Sequence, residues 1–342
     1  MSRLAQYMKA GESVLLGGPP GCAKTARILA AAKSIDYDVY LSRASLSDRI
    51  DYAGCLVPDF DKGITRALPL EAIKLLRETT RPTVWFIDDL GQAPIDAQAA
   101  LMQLFDNNFL PANVLVWAAT NRPGDKAGVT ALCEPLRSRF SLCFGIATPD
   151  SRETPNGTVY LGSWKDEVEG WIEWAMLNNL PSDVWAYHRF NSGEHLYKWQ
   201  PNGDPTLRMA DFRSWHTVAR LYAKGIRDAQ SIAGAIGMPD ASAFLAFVAC
   251  AKDLPSPDEV FANPATCRVP TEPSPLYLLA SCLSAAVTPK TMAAMLTYGA
   301  RLQRLYEAYM VRDAHKRLKR ALYTHPAWNA WYAKNRELFI DQ

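Results

Sequence analysis

The sequence predicts an α/β fold: a parallel five-stranded sheet flanked by helices, then a small all-α lid and a helical C-terminal extension. Three observations lead there. Residues 1–150 alternate short apolar blocks with helix-forming runs, a pattern that builds a parallel sheet wrapped by helices. A glycine-rich loop stands between the first block and the first long helix. Beyond residue 150 the strand signals fade and helical spacing takes over.

The strand candidates are Val14–Leu16, Val39–Ser42, Val84–Ile87, Val114–Thr120 and Ser141–Phe144. Each is a compact apolar block, the form taken by a strand buried on both faces. Pro149, Pro155, Asn156 and Gly157 mark a break. Trp164, Val168, Trp171, Ile172 and Ala175 then recur at helical spacing, and 211–221 repeats the pattern. The stretches 191–193 and 200–205 are rich in Asn, Gly, Ser and Pro and predict loops. The expected domains are therefore 1–150, a lid over 151–225 and an extension over 226–342. In the extension, 231–237 and 241–251 predict helices, prolines from Pro255 to Pro275 break the chain, and 291–322 predicts one or two long helices.

Composition sets limits. Hydrophobic residues make up 49% and charged residues 21% of 342, ordinary for a globular protein. No apolar run approaches the ~18 residues of a membrane span, and the N-terminus does not resemble a signal peptide. Seven cysteines without CxxC pairs fit reduced thiols and a cytoplasmic location. His188 and His195 lack metal-ligand spacing, so a structural role is expected of both. Net charge is +2, yet residues 301–342 carry nine Lys/Arg against four Asp/Glu, leaving the rest of the chain slightly acidic. If any surface binds nucleic acid, this tail is the candidate.

The glycine loop carries the chemistry. Gly17-Gly18-Pro19-Pro20-Gly21-Cys22-Ala23-Lys24-Thr25 joins a strand to a helix, the layout of a phosphate-binding loop. Contacts to nucleotide phosphates fall to Gly18, Pro19, Pro20, Gly21, Cys22, Ala23, Lys24, Thr25 and Ala26. Lys24 would reach the β- and γ-phosphates of ATP, and the Thr25 hydroxyl would ligate Mg²⁺. Ala23 stands where the full pattern has glycine, so a positive φ there would carry a cost. The block Val84–Ile87 ends in Asp88-Asp89. Asp88 suits Mg²⁺ and Asp89 the attacking water. The block ending at Thr120 leads into Asn121, whose amide can bond both γ-phosphate and water. Arg137 and Arg139, just before the last strand, can project toward a neighbour's nucleotide.

In this order of motifs the chain resembles the P-loop AAA+ ATPases, most closely the MoxR-like group. That group often carries a G-x-P-G-x-A-K-T loop, which accommodates Ala23. Asp88-Asp89 followed by Leu90-Gly91-Gln92-Ala93-Pro94 is similar to its D-E-x-x-x-A-P stretch, and Asp48–Gly54 to its D-x-x-G region. The resemblance spans about residues 10 to 225 and implies roles. Asn121 takes the sensor-1 position. Arg139, in Ser138-Arg139-Phe140, takes that of the arginine finger acting across a subunit interface, with Arg137 the weaker candidate. Asp211-Phe212-Arg213-Ser214-Trp215 is similar to a T-P-R-S-W-E stretch that carries the sensor-2 arginine, giving Arg213 that role and Arg208 as the alternative. Asp89 departs from the family's usual Glu; one methylene shorter, it puts fast hydrolysis in doubt, since a misplacement of about 1 Å can cost about a hundredfold.

The resemblance further implies a homo-oligomeric, hexameric ring acting chaperone-like on a protein partner, often one with a von Willebrand A domain. Two other functions stay open: a nucleic-acid motor or loader using the basic tail, and a slowly hydrolysing nucleotide-dependent assembly switch.

Overall fold

The computed structural model describes residues 2–106, 109–125, 128–129, 132–153, 157–201 and 207–339. Of the residues expected to break the chain, Pro155, Asn156 and 202–205 lie outside these. Two compact units form: 1–163 with 199–203, and 164–198 with 204–342.

In the first unit, described elements follow the order α1 (Arg3–Lys9), β1 (Val14–Gly17), α2 (Lys24–Ser34), β2 (Asp38–Arg43), α3 (Arg49–Ala53), β3 (Cys55–Asp59), β4 (Ile64–Leu68), α4 (Glu71–Glu78), β5 (Thr83–Asp88), α5 (Ile95–Leu101), β6 (Val114–Thr120), α6 (Glu134–Arg137) and β7 (Leu142–Gly145). Five strands make one sheet in the order β2-β5-β6-β1-β7, every pair parallel. The five expected strands are all present, displaced by no more than a residue or so at their ends.

Why apolar blocks become strands here is visible in the packing. Val14, Leu16, Val84, Phe86, Trp117 and Ala119 point to one face and pack with Ile28 and Ala31 of α2. Leu15, Trp85, Ile87, Val116 and Ala118 point to the other and pack with Ala97 and Leu101 of α5. In the central strands residues alternate between faces with period two and helices cover both faces, so apolar residues dominate, whereas the edge strand β2 is largely exposed and carries Asp38, Ser42 and Arg43. The sequence reading missed β3 and β4, an antiparallel hairpin outside this sheet. All five residues of β4 are exposed, so the hairpin has no buried face to imprint an apolar pattern.

The second unit is helical: α7 (Trp164–Leu177), α8 (Ser182–Phe190), α9 (Phe212–Ala223), α10 (Ala229–Ile236), α11 (Met238–Ala249), α12 (Pro257–Ala262), α13 (Pro273–Ala286), α14 (Met292–Gly299), α15 (Arg304–Leu318) and α16 (Pro326–Lys334). Helices on both sides of residue 225 share this unit, and a buried ion pair between Arg189 of α8 and Asp313 of α15 ties them together. No helix among the described residues is long and apolar enough to cross a membrane.

His188 lies in the middle of this unit. It is fully buried, edge-on to Trp215 at 4.2 Å and to Trp171 at 5.0 Å, and neither ring nitrogen has a protein hydrogen-bond partner. Burial, helped by nearby His195, holds its pKa well below the ordinary 6.5. The unfolded chain takes up a proton near pH 6.5 that the folded chain refuses. Stability contributed by neutral His188 is thus complete above that pH and falls as pH drops, by up to about 1.4 kcal/mol per unit. His188→Phe should flatten the loss of melting temperature between pH 7.5 and pH 5.5, leaving a smaller slope from His216 and His315, whose pKa values burial also lowers. Equal slopes in variant and wild type would contradict this assignment.

Candidate nucleotide-binding site

Three neighbouring strands, β5, β6 and β1, end at the same edge of the parallel sheet, and there the predicted site residues meet. β1 runs into the loop 18–23 and α2 starts at Lys24. Gly18 is required for space: a Cβ would stand 2.9 Å from Cys22 Sγ and 3.2 Å from Ile146 Cβ. Gly21 (φ 76°) and Ala23 (φ 64°) are both left-handed, which turns the chain tightly into α2. Ala23 therefore bears the conformational cost expected of it. It provides no side-chain cap for α2 either, so the helix presents its first-turn N–H groups and its positive dipole end without a capping side chain. An uncapped helix end behind a curled loop fits an anion.

Lys24 is 8% exposed. Its ammonium has three protons, and three oxygens take them: Gly18 O at 2.8 Å, Pro19 O at 3.0 Å and Asn121 Oδ1 at 2.7 Å. The phosphate loop and the end of β6 are thus joined through one cation. A second link joins α2 to β5: Thr25 Oγ1 donates to Asp88 Oδ2 at 2.7 Å. The other Asp88 oxygen accepts the Asp89 N–H at 3.1 Å. Hydroxyl and carboxylate oxygens side by side are the donor set a hard divalent cation such as Mg²⁺ prefers. Asp89 itself is left-handed (φ 54°, ψ 37°), opening a single 3₁₀ turn over Leu90–Gln92. Aspartate is among the residues that tolerate this conformation best.

Lys24 with Asn121 and Thr25 with Asp88 are thus two directly hydrogen-bonded pairs, brought side by side because Lys24 and Thr25 are neighbours at the start of α2, and Asp89 follows Asp88 in the chain. The arginines are elsewhere. Arg139 donates from Nε to Met102 O at 3.2 Å and stands 3.6 Å from Asp106; its side chain is 37% exposed. Arg137 pairs with Glu134 at 2.8 Å, also at the surface. Arg208 and Arg213 belong to the second unit. Arg213 is exposed in the first turn of α9, behind a capping box made by Asp211 and Ser214; Arg208 lies 3.4 Å from Asp211.

The sequence reading missed Asp125. Its buried carboxylate accepts the Arg122 backbone N–H at 2.8 Å and holds the Arg122 guanidinium at 2.9 Å, fixing the loop just beyond Asn121. The i,i+3 spacing of a cation and an acid around Pro123-Gly124 was the available signal.

The left-handed alanine yields a test. An L-residue in this region costs roughly 1–2 kcal/mol, while glycine costs roughly 0.4–1 kcal/mol through the unfolded chain. Ala23→Gly should leave thermal stability unchanged or raise it by up to about 1 kcal/mol. Ala23→Val, β-branched at positive φ, should lower it. A destabilised Ala23→Gly protein would show that the turn is not under this constraint.

This chain is similar to several known proteins. RuvB of Thermotoga maritima, a Holliday junction branch migration motor, is 14% identical, with 88% of this chain and 69% of that chain covered and a TM-score of 0.31. A lysine-to-arginine mutant of the same RuvB is 16% identical over 77% of this chain and 72% of its own, with a TM-score of 0.36. A candidate ATPase from Cytophaga hutchinsonii is 18% identical over 71% and 78%, with a TM-score of 0.30. Residues 14–147 match the family model "ATPase family associated with various cellular activities (AAA)". That segment contains the phosphate loop, Asp88, Asp89, Asn121 and both surface arginines, together with the five-stranded parallel sheet.

Proposed function

We propose that this chain is a MoxR-like AAA+ protein that binds and hydrolyses ATP as a ring of six identical copies and so remodels a protein partner in the cytoplasm, one with a von Willebrand A domain. The observation that carries the ATP reading is a pair of hydrogen bonds, Lys24 to Asn121 and Thr25 to Asp88, that tie the start of α2 to the ends of β6 and β5. Lys24, the N–H groups of the loop and the α2 terminus bind phosphate. Thr25 and Asp88 hold Mg²⁺, which when bound offsets phosphate charge. Asn121 and Asp89 orient the water, and Asp89 takes its proton. Arg139 of an adjoining copy stabilises charge on the transferring phosphate, and Arg213 or Arg208 reports nucleotide to the second unit.

A protein partner is favoured over nucleic acid because much of the basic tail is engaged within its own unit. Lys316 pairs with Glu173, and Arg317 donates to the carbonyls of Ser284 and Val287 at the end of α13. Arg304 bridges Glu307 and Glu337. Trp328 is buried, and Trp331 donates to Glu307. These groups act as internal packing and leave fewer basic and aromatic side chains for a strand of bases to stack on.

Arg139→Ala should lower ATP turnover about a thousandfold or more while ATP still binds. The wild-type rate per chain should rise with protein concentration. Undiminished turnover in the variant, or in dilute monomers, would remove the ring from this reading.

A second reading, the slow assembly switch, is favoured by Asp89, whose short carboxylate starts from a left-handed backbone. Asp89→Glu should then speed single-turnover hydrolysis several-fold, up to about a hundredfold. An unchanged or slower rate would count against it.

A further inference from the structure

Thr120, the last residue of β6, occupies a junction that none of the roles above includes. Its carbonyl accepts the Gly18 N–H at 3.1 Å, where the phosphate loop leaves β1. Its hydroxyl accepts the Gly91 N–H at 3.2 Å and donates to Asn121 O at 2.9 Å. One hydroxyl supplies one proton and accepts another, so both bonds exist at once. Thr120 is 8% exposed, and water does not readily replace either partner. Gly91 lies in the 3₁₀ turn that Asp89 opens. A Cβ on Gly91 would collide with Thr120 Oγ1 and with Val129, so glycine is what allows the turn to come this close.

We propose that Thr120 is a positioning residue whose hydroxyl sets the spacing between the Asp89 turn and the Asn121 amide, and hence where the attacking water is held. The inference rests on the ATPase reading. The two groups it spaces follow different strands, Asp89 directly after β5 and Asn121 directly after β6. Strand pairing ends at Ile87–Ala118, short of both, so the ladder itself does not fix them. The Thr120 hydroxyl is the side-chain link that continues where the ladder stops. The phosphate loop is tied differently, through the Thr120 carbonyl, which any residue at this position keeps. Turnover and nucleotide affinity therefore depend on different atoms of one residue.

Thr120→Val keeps the shape, the backbone and the Gly18 link but removes the hydroxyl. Steady-state turnover and equilibrium binding of ATP, with thermal melts in parallel, separate the two effects. Expected is a fall in kcat of about ten- to a hundredfold with nucleotide affinity retained, in line with a displacement below or near 1 Å. Thr120→Ser, which restores the hydroxyl, should recover most of kcat. Gly91→Ala should reproduce the kcat loss from the opposite side. Wild-type kcat in Thr120→Val overturns the inference, as does Thr120→Ser failing as badly as Thr120→Val, which would make the methyl group the relevant part. If Thr120→Val does not fold, the Ser and Ala variants decide alone: Gly91→Ala with wild-type kcat overturns the inference. Absence of ATP turnover in the wild type overturns the ATPase reading and this inference together, whereas the outcomes above leave that reading standing.

Discussion

The buried Lys24 ammonium is the constraint on which the site depends. A charge withdrawn from water has to be compensated at every proton, and three oxygens surround it: two carbonyls of the loop and the Asn121 amide. Those carbonyls point inward only because the chain curls at Gly21 and Ala23, and the curl ends in α2 because Lys24 opens that helix. The amide is within reach only because β6 lies beside β1. Loop conformation, helix position and strand order are thus aspects of one requirement, and altering any one leaves an unpaired cation in the interior.

Strand order then determines what else arrives. With β5 next to β6 and β6 next to β1, the residues ending those strands line up along one edge, and Asp88 meets the Thr25 hydroxyl. Two non-glycine residues there, Ala23 and Asp89, have positive φ. Such backbones persist where surrounding structure holds them, and here a helix start and a strand end do so. The strained positions flank the hydrogen-bonded cluster on either side, as expected where geometry is selected for chemistry over local comfort.

What the sequence disclosed follows the same logic. Buried parallel strands have no polar face, so Val84–Ile87 and Val114–Thr120 were plain as apolar blocks. The hairpin β3–β4 was not, since exposed residues such as Ile64, Arg66 and Leu68 follow no burial pattern; only Gly63, left-handed at φ 62°, marked its turn. Lys24, Thr25, Asp88 and Asn121 were legible because each side chain has chemistry of its own in a recognisable order. Thr120 and Asp125 were not, because they act on backbone groups: which N–H or carbonyl they meet is decided by tertiary placement, and any buried threonine or aspartate reads the same in sequence. The basic tail shows the converse. Its charges stood out in composition, yet partners such as Glu173 for Lys316 lie far away in the chain, and nothing in the run 312–320 announces them.

The pairing of Arg189 with Asp313 extends this to the second unit. Both groups are almost wholly buried, and the arginine also stands over the rings of Trp185 and Tyr309. A buried ion pair gives little net stability, since desolvation offsets attraction, but losing one partner leaves a lone charge inside. The pair therefore acts mainly on which arrangement is allowed. Slippage of α15 against α8 would separate the two charges in a medium that cannot screen them, while an apolar contact of equal area would tolerate a shift of a turn.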